Sequence, residues 1–181
     1  MKGNKPLLSV SEFLSSQRIL IIGNGGSGKS TLALTLGKIT GLPIIHLDQL
    51  YWQAGWKNVD REVFLSKLET EMEKEKWIID GNYRSTLPLR LLYCDLIIYL
   101  DFNRFVSLWS VIKRIIKHHG KTRPDMAPGC PERFDWTFLK WVWSFNRENR
   151  DYFYNLLSTC LKPVMIFRTR KSLKKFLKTL V

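Results

Sequence analysis

Short apolar runs alternate along the chain with longer segments of mixed polarity. "RILIIG" (18–23), "PIIHLD" (43–48), "WIIDG" (77–81), "DLIIYLD" (95–101) and "PVMIF" (163–167) are short and almost uniformly apolar, and read as buried strands. Between them, "GKSTLALTLGKITG" (28–41) reads as a helix that stops at Gly41, with Pro43 just beyond. "DREVFLSKLETEMEKEK" (60–76) reads as a helix with Asp60 as its N-cap; Val63, Phe64, Lys67, Leu68 and Glu71 show its faces separating. "NRFVSLWSVIKRIIKHHG" (103–120) is a helix ending at a glycine, and "ERFDWTFLKWVWSFNRENRDYFYNLL" (132–157) a long helix. The stretch between them, "KTRPDMAPGCP" (121–131), holds three prolines and a glycine and reads as irregular. "SLKKFLKTLV" (172–181) closes the chain as a helix.

Five buried strands alternating with helices predict an α/β domain: a five-stranded parallel sheet with helices on both faces. It would occupy residues 18–181, preceded by an N-terminal extension, residues 1–17. Within the extension, "SVSEFLSSQ" reads as a short helix on the domain edge. No repeat or long linker divides the chain. Ligands of such sheets bind beyond the carboxyl ends of the strands, which singles out Gly23, Asp48, Asp80 and Asp101.

Composition narrows the field. With 181 residues, 45% hydrophobic and 25% charged, the chain is globular and long enough for one substantial core. Lys and Arg total 29 against 16 acids, a net charge of +13 that attracts polyanions: nucleotides, nucleic acid or anionic membrane surfaces. No apolar run reaches the ~18 residues of a membrane span; "LLYCDLIIYL" comes closest, and Asp95 interrupts it. The N-terminus shows no secretory signal. Cys94, Cys130 and Cys160 show neither metal spacing nor a disulfide framework, which suits a cytoplasmic protein.

The segment Gly23-Asn24-Gly25-Gly26-Ser27-Gly28-Lys29-Ser30 fits G-x-x-x-x-G-K-[ST], and Thr31 follows it. It leaves a predicted strand and opens a predicted helix, the context this phosphate-binding loop requires. Bare backbone lets N–H groups turn inward around a phosphate, and the helix N-terminus adds its dipole. Lys29 is expected to reach the β- and γ-phosphates of ATP, and Ser30 to ligate Mg²⁺. Asp80, at the end of its strand, is expected to organise the metal through water; a turn cap before Gly81 is the alternative.

Asp80-Gly81-Asn82-Tyr83-Arg84 resembles the Asp-Gly-x-Pro-Arg segment of adenylate kinases, with Tyr83 in place of the proline. The resemblance implies that Arg84 approaches phosphates of the acceptor. With "LPIIHLDQLYWQAGW", "WIIDGNYRSTLPLRL", "YLDFNRF" and "KTRPDMAPGCPERFDWTFLKWVW" added, the chain from residue 18 onward resembles the bacterial DNA topology modulation proteins, small P-loop proteins related to adenylate and shikimate kinases. That resemblance implies nucleotide binding, and the family's name implies an effect on DNA supercoiling.

Asp48 is a candidate general base for an acceptor hydroxyl or a partner of the metal, with a turn cap as the alternative. His46 reads as a packed histidine. Tyr51, Trp52 and Trp56 either stack on a flat acceptor or fill a satellite core under their loop. Lys113, Arg114, Lys117, His118 and Lys121 form one basic face before the irregular stretch, and Arg123 lies within it. By likeness to these kinases, which carry a mobile lid here, the segment at about 113–133 would be a lid, and Arg114 and Arg123 would close over the transferring phosphoryl group and exclude water; a solvated basic helix face is the alternative. Phe134, Phe138, Trp141 and Phe145 read as a core stripe. By likeness to adenylate kinases, Arg147 and Arg150 on the same helix would contact phosphates; Asp151 offers Arg147 a surface partner instead. Arg168 and Arg170 sit where related kinases hold the adenine ring, and an arginine there can stack on the base.

Three functions are consistent with these features. The first is an ATP- and Mg²⁺-dependent phosphotransferase acting on a nucleotide or small hydroxyl metabolite. The second is a nucleotide-regulated DNA-binding protein using non-specific contacts through its basic surface, although no helix-turn-helix, zinc-finger or RNA-binding signature appears. The third is an ATP-binding interaction module without transfer chemistry.

Overall fold

The computed structural model describes residues 9–180. Strand β1 (Arg18–Gly23) lies at the centre of a parallel five-stranded sheet. On one side it pairs with β5 (Trp77–Asp80), which pairs in turn with β2 (Ile44–His46). On the other it pairs with β6 (Leu96–Leu100), which carries β7 (Val164–Phe167) at the edge. The order is therefore β2-β5-β1-β6-β7, and the chain reverses direction across the sheet at β1, where ligand crevices form.

Successive residues of β1 point to opposite faces. Leu20 and Ile22 join a core with α4 (Arg61–Met72), α5 (Leu87–Tyr93) and α7 (Trp136–Thr159). Ile19 and Ile21 join a second core with α2 (Lys29–Thr40) and α8 (Arg170–Leu177). The short helix α1 (Val10–Ser15), closed by a Ser9–Glu12 capping box, buries Phe13 against Phe176 with ring centroids 5.1 Å apart. Residues 1–8 of the expected extension, and Val181 of the expected closing helix, lie outside the described residues.

The structure departs from the sequence reading at several points. β2 ends at His46, opposite Asp80, and the chain turns at once into α3 (Leu47–Tyr51), so Asp48 lies on a helix rather than a strand. An antiparallel pair follows, β3 (Trp52–Gln53) and β4 (Lys57–Asn58), its turn made by left-handed residues Gly55 and Trp56. Asp60 occupies the N-cap of α4 without a capping side-chain bond. Helix α6 (Arg104–His118) is capped by Asn103, and α7 by Asp135, whose carboxylate accepts from the Phe138 N–H at 3.0 Å. Because α7 starts at Trp136, Glu132 lies in the connection before the helix rather than on it. The expected core stripe is split: Phe145 is buried, whereas Phe134 precedes the helix and is exposed, and Trp141 is partly exposed. Helical spacing reported a shared face, but only part of that face is covered.

Candidate active site

The glycine-rich loop joins β1 to α2 beneath helices α6 and α7. Gly26, at φ +73°, passes so close to the Ser107 backbone and Val111 of α6 that a Cβ could not fit. Gly28, at φ +95°, opens onto free space, so a left-handed backbone, not crowding, requires glycine there. Asn24 is buried and donates from Nδ2 to Val142 O (2.8 Å) and Asn146 Oδ1 (3.3 Å), tying the loop to α7. The Gly23 N–H donates to Asn82 Oδ1 at 2.9 Å, tying it to the segment after β5. Lys29 Nζ donates to Asn24 O across the loop at 3.0 Å. Burial pulls the Lys29 pKa down, against the carboxylates of Asp80 and Asp48, which raise it. Thr31 is exposed in the first turn of α2.

Asp80 is buried and uses both carboxylate oxygens. Oδ2 accepts from Ser30 Oγ at 2.8 Å, and Oδ1 meets His46 Nδ1 at 2.5 Å. His46 is thus more than a packed histidine. Strand register sets it beside Asp80; burial opposes its protonation, and the Asp80 bond prevails, raising its pKa. Asp48 accepts from the Tyr83 hydroxyl at 2.7 Å. Burial raises the Asp48 pKa, offset in part by the Tyr83 hydrogen bond and by the charges of Lys29 and Arg123.

Arg90, which the sequence reading passed over, organises the segment after β5. It is fully buried and donates to Gly81 O (3.0 Å), Tyr83 O (3.0 Å), Asn82 O and Thr86 Oγ1 (3.2 Å). Burial pushes its pKa down to about 9, still above neutrality, so it remains charged. Its signal was an arginine inside the apolar run "LPLRLLY". Arg84 lies over the Tyr152 ring of α7, 3.8 Å from the centroid.

The segment joining α6 to α7, residues 119–135, overlaps the expected lid and brings its Arg123 together with Arg114 of α6 on one carboxylate. Arg114 Nη2 donates to Glu132 Oε1 at 3.0 Å, and Arg123 Nε lies 2.9 Å from Glu132 Oε2. Arg123 Nη1 also donates to Asp125 at 2.7 Å. The buried Nε of Arg114 lacks a hydrogen-bond acceptor among the described residues, whereas that of Arg123 faces Glu132 Oε2. Glu132 was also missed; at the head of an expected helix it carried no distinguishing pattern. The lid rests on the β3–β4 hairpin through Gly55 N–H to Gly129 O (2.8 Å), Trp56 Nε1 to Pro131 O (3.0 Å) and Gln49 Nε2 to Pro124 O (2.6 Å). Trp52 and Trp56 pack on Met126, Ala127 and Cys130, so they fill the satellite core. The charges of Arg114 and Asp125 act on Lys29, and that of Arg123 acts on Asp48. Lid, loop and acids therefore converge on one place.

Arg147 does not join them. It is exposed and, among the described residues, is paired with its neighbour Glu148 at 3.9 Å rather than with Asp151. The register of α7 instead turns Asn146 and Arg150 towards β6: Arg150 Nη2 donates to Asp101 at 2.7 Å, and Asn146 Nδ2 donates to Phe102 O at 3.1 Å. Arg168, just past β7, donates to the Tyr154 hydroxyl at 3.0 Å, and Arg170 to Ser110 Oγ at 2.5 Å.

No family model matches the chain, and no curated protein matches it. Solved structures do. A shikimate kinase from Bacteroides thetaiotaomicron is 16% identical, covering 92% of this chain and 96% of its own, with a TM-score of 0.55. A shikimate kinase from Acinetobacter baumannii in complex with shikimate is 11% identical, covering 95% of this chain and 97% of its own, with a TM-score of 0.59. A deoxyadenosine kinase from M. mycoides with bound dATP is 19% identical, covering 89% of this chain and 97% of its own, with a TM-score of 0.50. The finer likeness to DNA topology modulation proteins receives no support from these comparisons. The order of the five parallel strands, the glycine loop after β1 and these likenesses together give the chain the fold of the P-loop kinases.

Proposed function

We propose that the protein is an ATP-dependent phosphotransferase that passes the γ-phosphoryl group to a small acceptor, a nucleotide or a hydroxyl metabolite. The observation that carries this reading is the convergence of Lys29, the Ser30–Asp80 pair, Asp48 and the Arg114–Glu132–Arg123 cluster, in which the buried Nε of Arg114 has no acceptor among the described residues. Structural neighbours named as shikimate and deoxyadenosine kinases support a small acceptor.

Backbone N–H groups of residues 23–28 and the start of α2 would hold the phosphates. Lys29 would leave Asn24 O for the β/γ oxygens. Ser30 Oγ and Asp80 Oδ2, 2.8 Å apart, are oxygen donors suited to Mg²⁺. Among the described residues no three His, Cys, Asp or Glu side chains could cage a metal, which suits an ion that takes most ligands from phosphate and water. Bound there, Mg²⁺ would supply neutralisation of phosphate charge.

His46 fixes the second oxygen of Asp80. Asp48, oriented by Tyr83, takes the acceptor's proton or aligns its hydroxyl. Arg114 turns its free Nε donor, and Arg123 the guanidinium it shares with Glu132, to the equatorial oxygens as charge spreads there. Arg84 lies on the acceptor side, and Arg168 stacks on the base. A DNA-regulating role, and membership of the topology modulation proteins, rest on sequence segments alone. No observation favours them here.

Phosphorus NMR tests the reading. ATP, Mg²⁺ and protein are mixed with nucleoside monophosphates, nucleosides and hydroxyl metabolites in turn, and with duplex DNA at two salt concentrations. A new phosphorylated product with stoichiometric ADP is expected. ATP binding with no product from any acceptor, but with hydrolysis altered by DNA, would overturn it.

A further inference from the structure

Two helices leave the lid and the P-loop with an apolar surface that the phosphotransfer site does not use. On α6, Phe105, Trp109, Ile112 and Ile116 recur at spacings of four, three and four. On α7, Trp136, Leu139, Lys140 and Trp143, at spacings of three, one and three, line a groove of about 640 Å³ that Leu108 and Ile112 of α6 close from the other side. Trp136 is 68% exposed, Ile116 75%, Phe105 60% and Trp109 58%. At 1.5 Å per residue the α6 stripe alone is about 17 Å long. Exposed apolar surface this continuous marks an interaction site.

The charge on this surface selects the occupant. Helix α6 has no Asp or Glu, and α7 has none before Glu148. Arg104 lies over the Trp143 ring at 4.4 Å, and Lys113 over Trp109 at 5.0 Å. Lys117 and Lys140 are exposed beside them. A second copy of this chain would set one basic rim against another. An anionic partner is attracted by every rim charge and by the chain's net +13. The side chains then favour a bilayer over an acidic peptide. Among the described residues the indole N–H groups of Trp109, Trp136 and Trp143 have no hydrogen-bond partner. Tryptophan bracketed by Lys and Arg is the composition of surfaces seated at the headgroup level, with rings in the acyl boundary and N–H groups and cations in the headgroups.

We infer that the α6–α7 face docks the protein peripherally on an anionic lipid surface. No helix among the described residues is long and apolar enough to cross a membrane, so this is attachment, not insertion. It stands independently of the acceptor's identity.

The test is co-sedimentation with phosphatidylglycerol–phosphatidylcholine vesicles and with phosphatidylcholine alone, together with quenching of tryptophan fluorescence by bromine-labelled acyl chains. Binding to the anionic vesicles, with quenching, is expected. Trp109→Ser with Trp136→Ser should weaken it about tenfold or more while melting temperature and ATP binding stay unchanged. Lys113→Glu with Lys140→Glu should abolish the preference for phosphatidylglycerol. Three results would overturn the inference. One is folded wild-type protein that ignores anionic vesicles. Another is vesicle binding that survives the tryptophan substitutions without acyl-chain quenching, which would make it a general effect of net charge. The third is a wild-type dimer, or capture of a Glu-rich amphipathic peptide, lost in the tryptophan variant while vesicles are not bound.

Discussion

Arg90→Met tests whether a buried cation shapes the acceptor side of the site. Methionine is close in length and leaves Gly81 O, Asn82 O and Tyr83 O without their shared donor. An unsatisfied buried carbonyl costs about 1–3 kcal/mol, so three cost about 3–9 kcal/mol. Removing a desolvated guanidinium returns several kcal/mol, since no carboxylate among the described residues pairs with it. The expected net loss is about 3 kcal/mol, or about 6–12 °C in Tm for a domain of this size. The effect should reach the site, because Asn82 holds the Gly23 N–H and Tyr83 holds Asp48. Thermal unfolding followed by circular dichroism at neutral pH, with ATP affinity by calorimetry, reads both. Arg90→Lys keeps the charge without the planar fork and should fall between methionine and wild type. A Tm shift for Arg90→Met below about 2 °C, the range of neutral surface changes, would refute the reasoning.

Other substitutions separate the roles of the remaining groups. Lys29→Ala should weaken ATP binding about tenfold or more yet leave the Tm of the free protein nearly unchanged, because burial already disfavours that charge; normal binding would remove Lys29 from the phosphate site. Asp48→Asn should lower kcat by about 10²–10⁴ with little change in ATP affinity; an unaltered kcat returns Asp48 to a capping role. The same variant carries a pH signature. The folded-state pKa of Asp48 is raised by burial, so its ionisation costs stability above that pKa. Asp48→Asn should therefore raise Tm at pH 8, with the gain vanishing as pH falls below the ordinary carboxylate range; a loss of Tm at pH 8 contradicts this. Glu132→Gln leaves two guanidiniums facing each other around a neutral amide, and should cost about 2–4 kcal/mol in urea unfolding while raising KM for ATP. An unshifted midpoint would mean that the lid does not depend on this carboxylate.

Much of this protein is local and therefore legible in the sequence. A buried strand followed by Gly-rich backbone, Lys29 and Ser30 is complete within a dozen residues, so motif and context could be checked together. Strand and helix periods come from backbone geometry, and they placed all five sheet strands to within two residues or so at each end. The hairpin at 52–58 and helix α5 were not apparent, being short and built on turn residues and one buried arginine. Periodicity tells which residues share a face, not what covers that face. That is why Phe134 and Trp141, expected in the core, are exposed to differing degrees. Charge is the extreme case. A side chain's partner depends on which elements packing brings within a few ångströms. Arg114 and Arg123 meet Glu132 only because the lid folds back on the end of α6. His46 meets Asp80 only because β2 and β5 are in register. Arg150 turns to the site wall while Arg147 faces solvent, through the rotation of one helix. Residue types and spacing along the chain determined the chemistry available; three-dimensional packing decided which groups act on one another, because electrostatic coupling falls with distance in space and takes no account of distance in sequence.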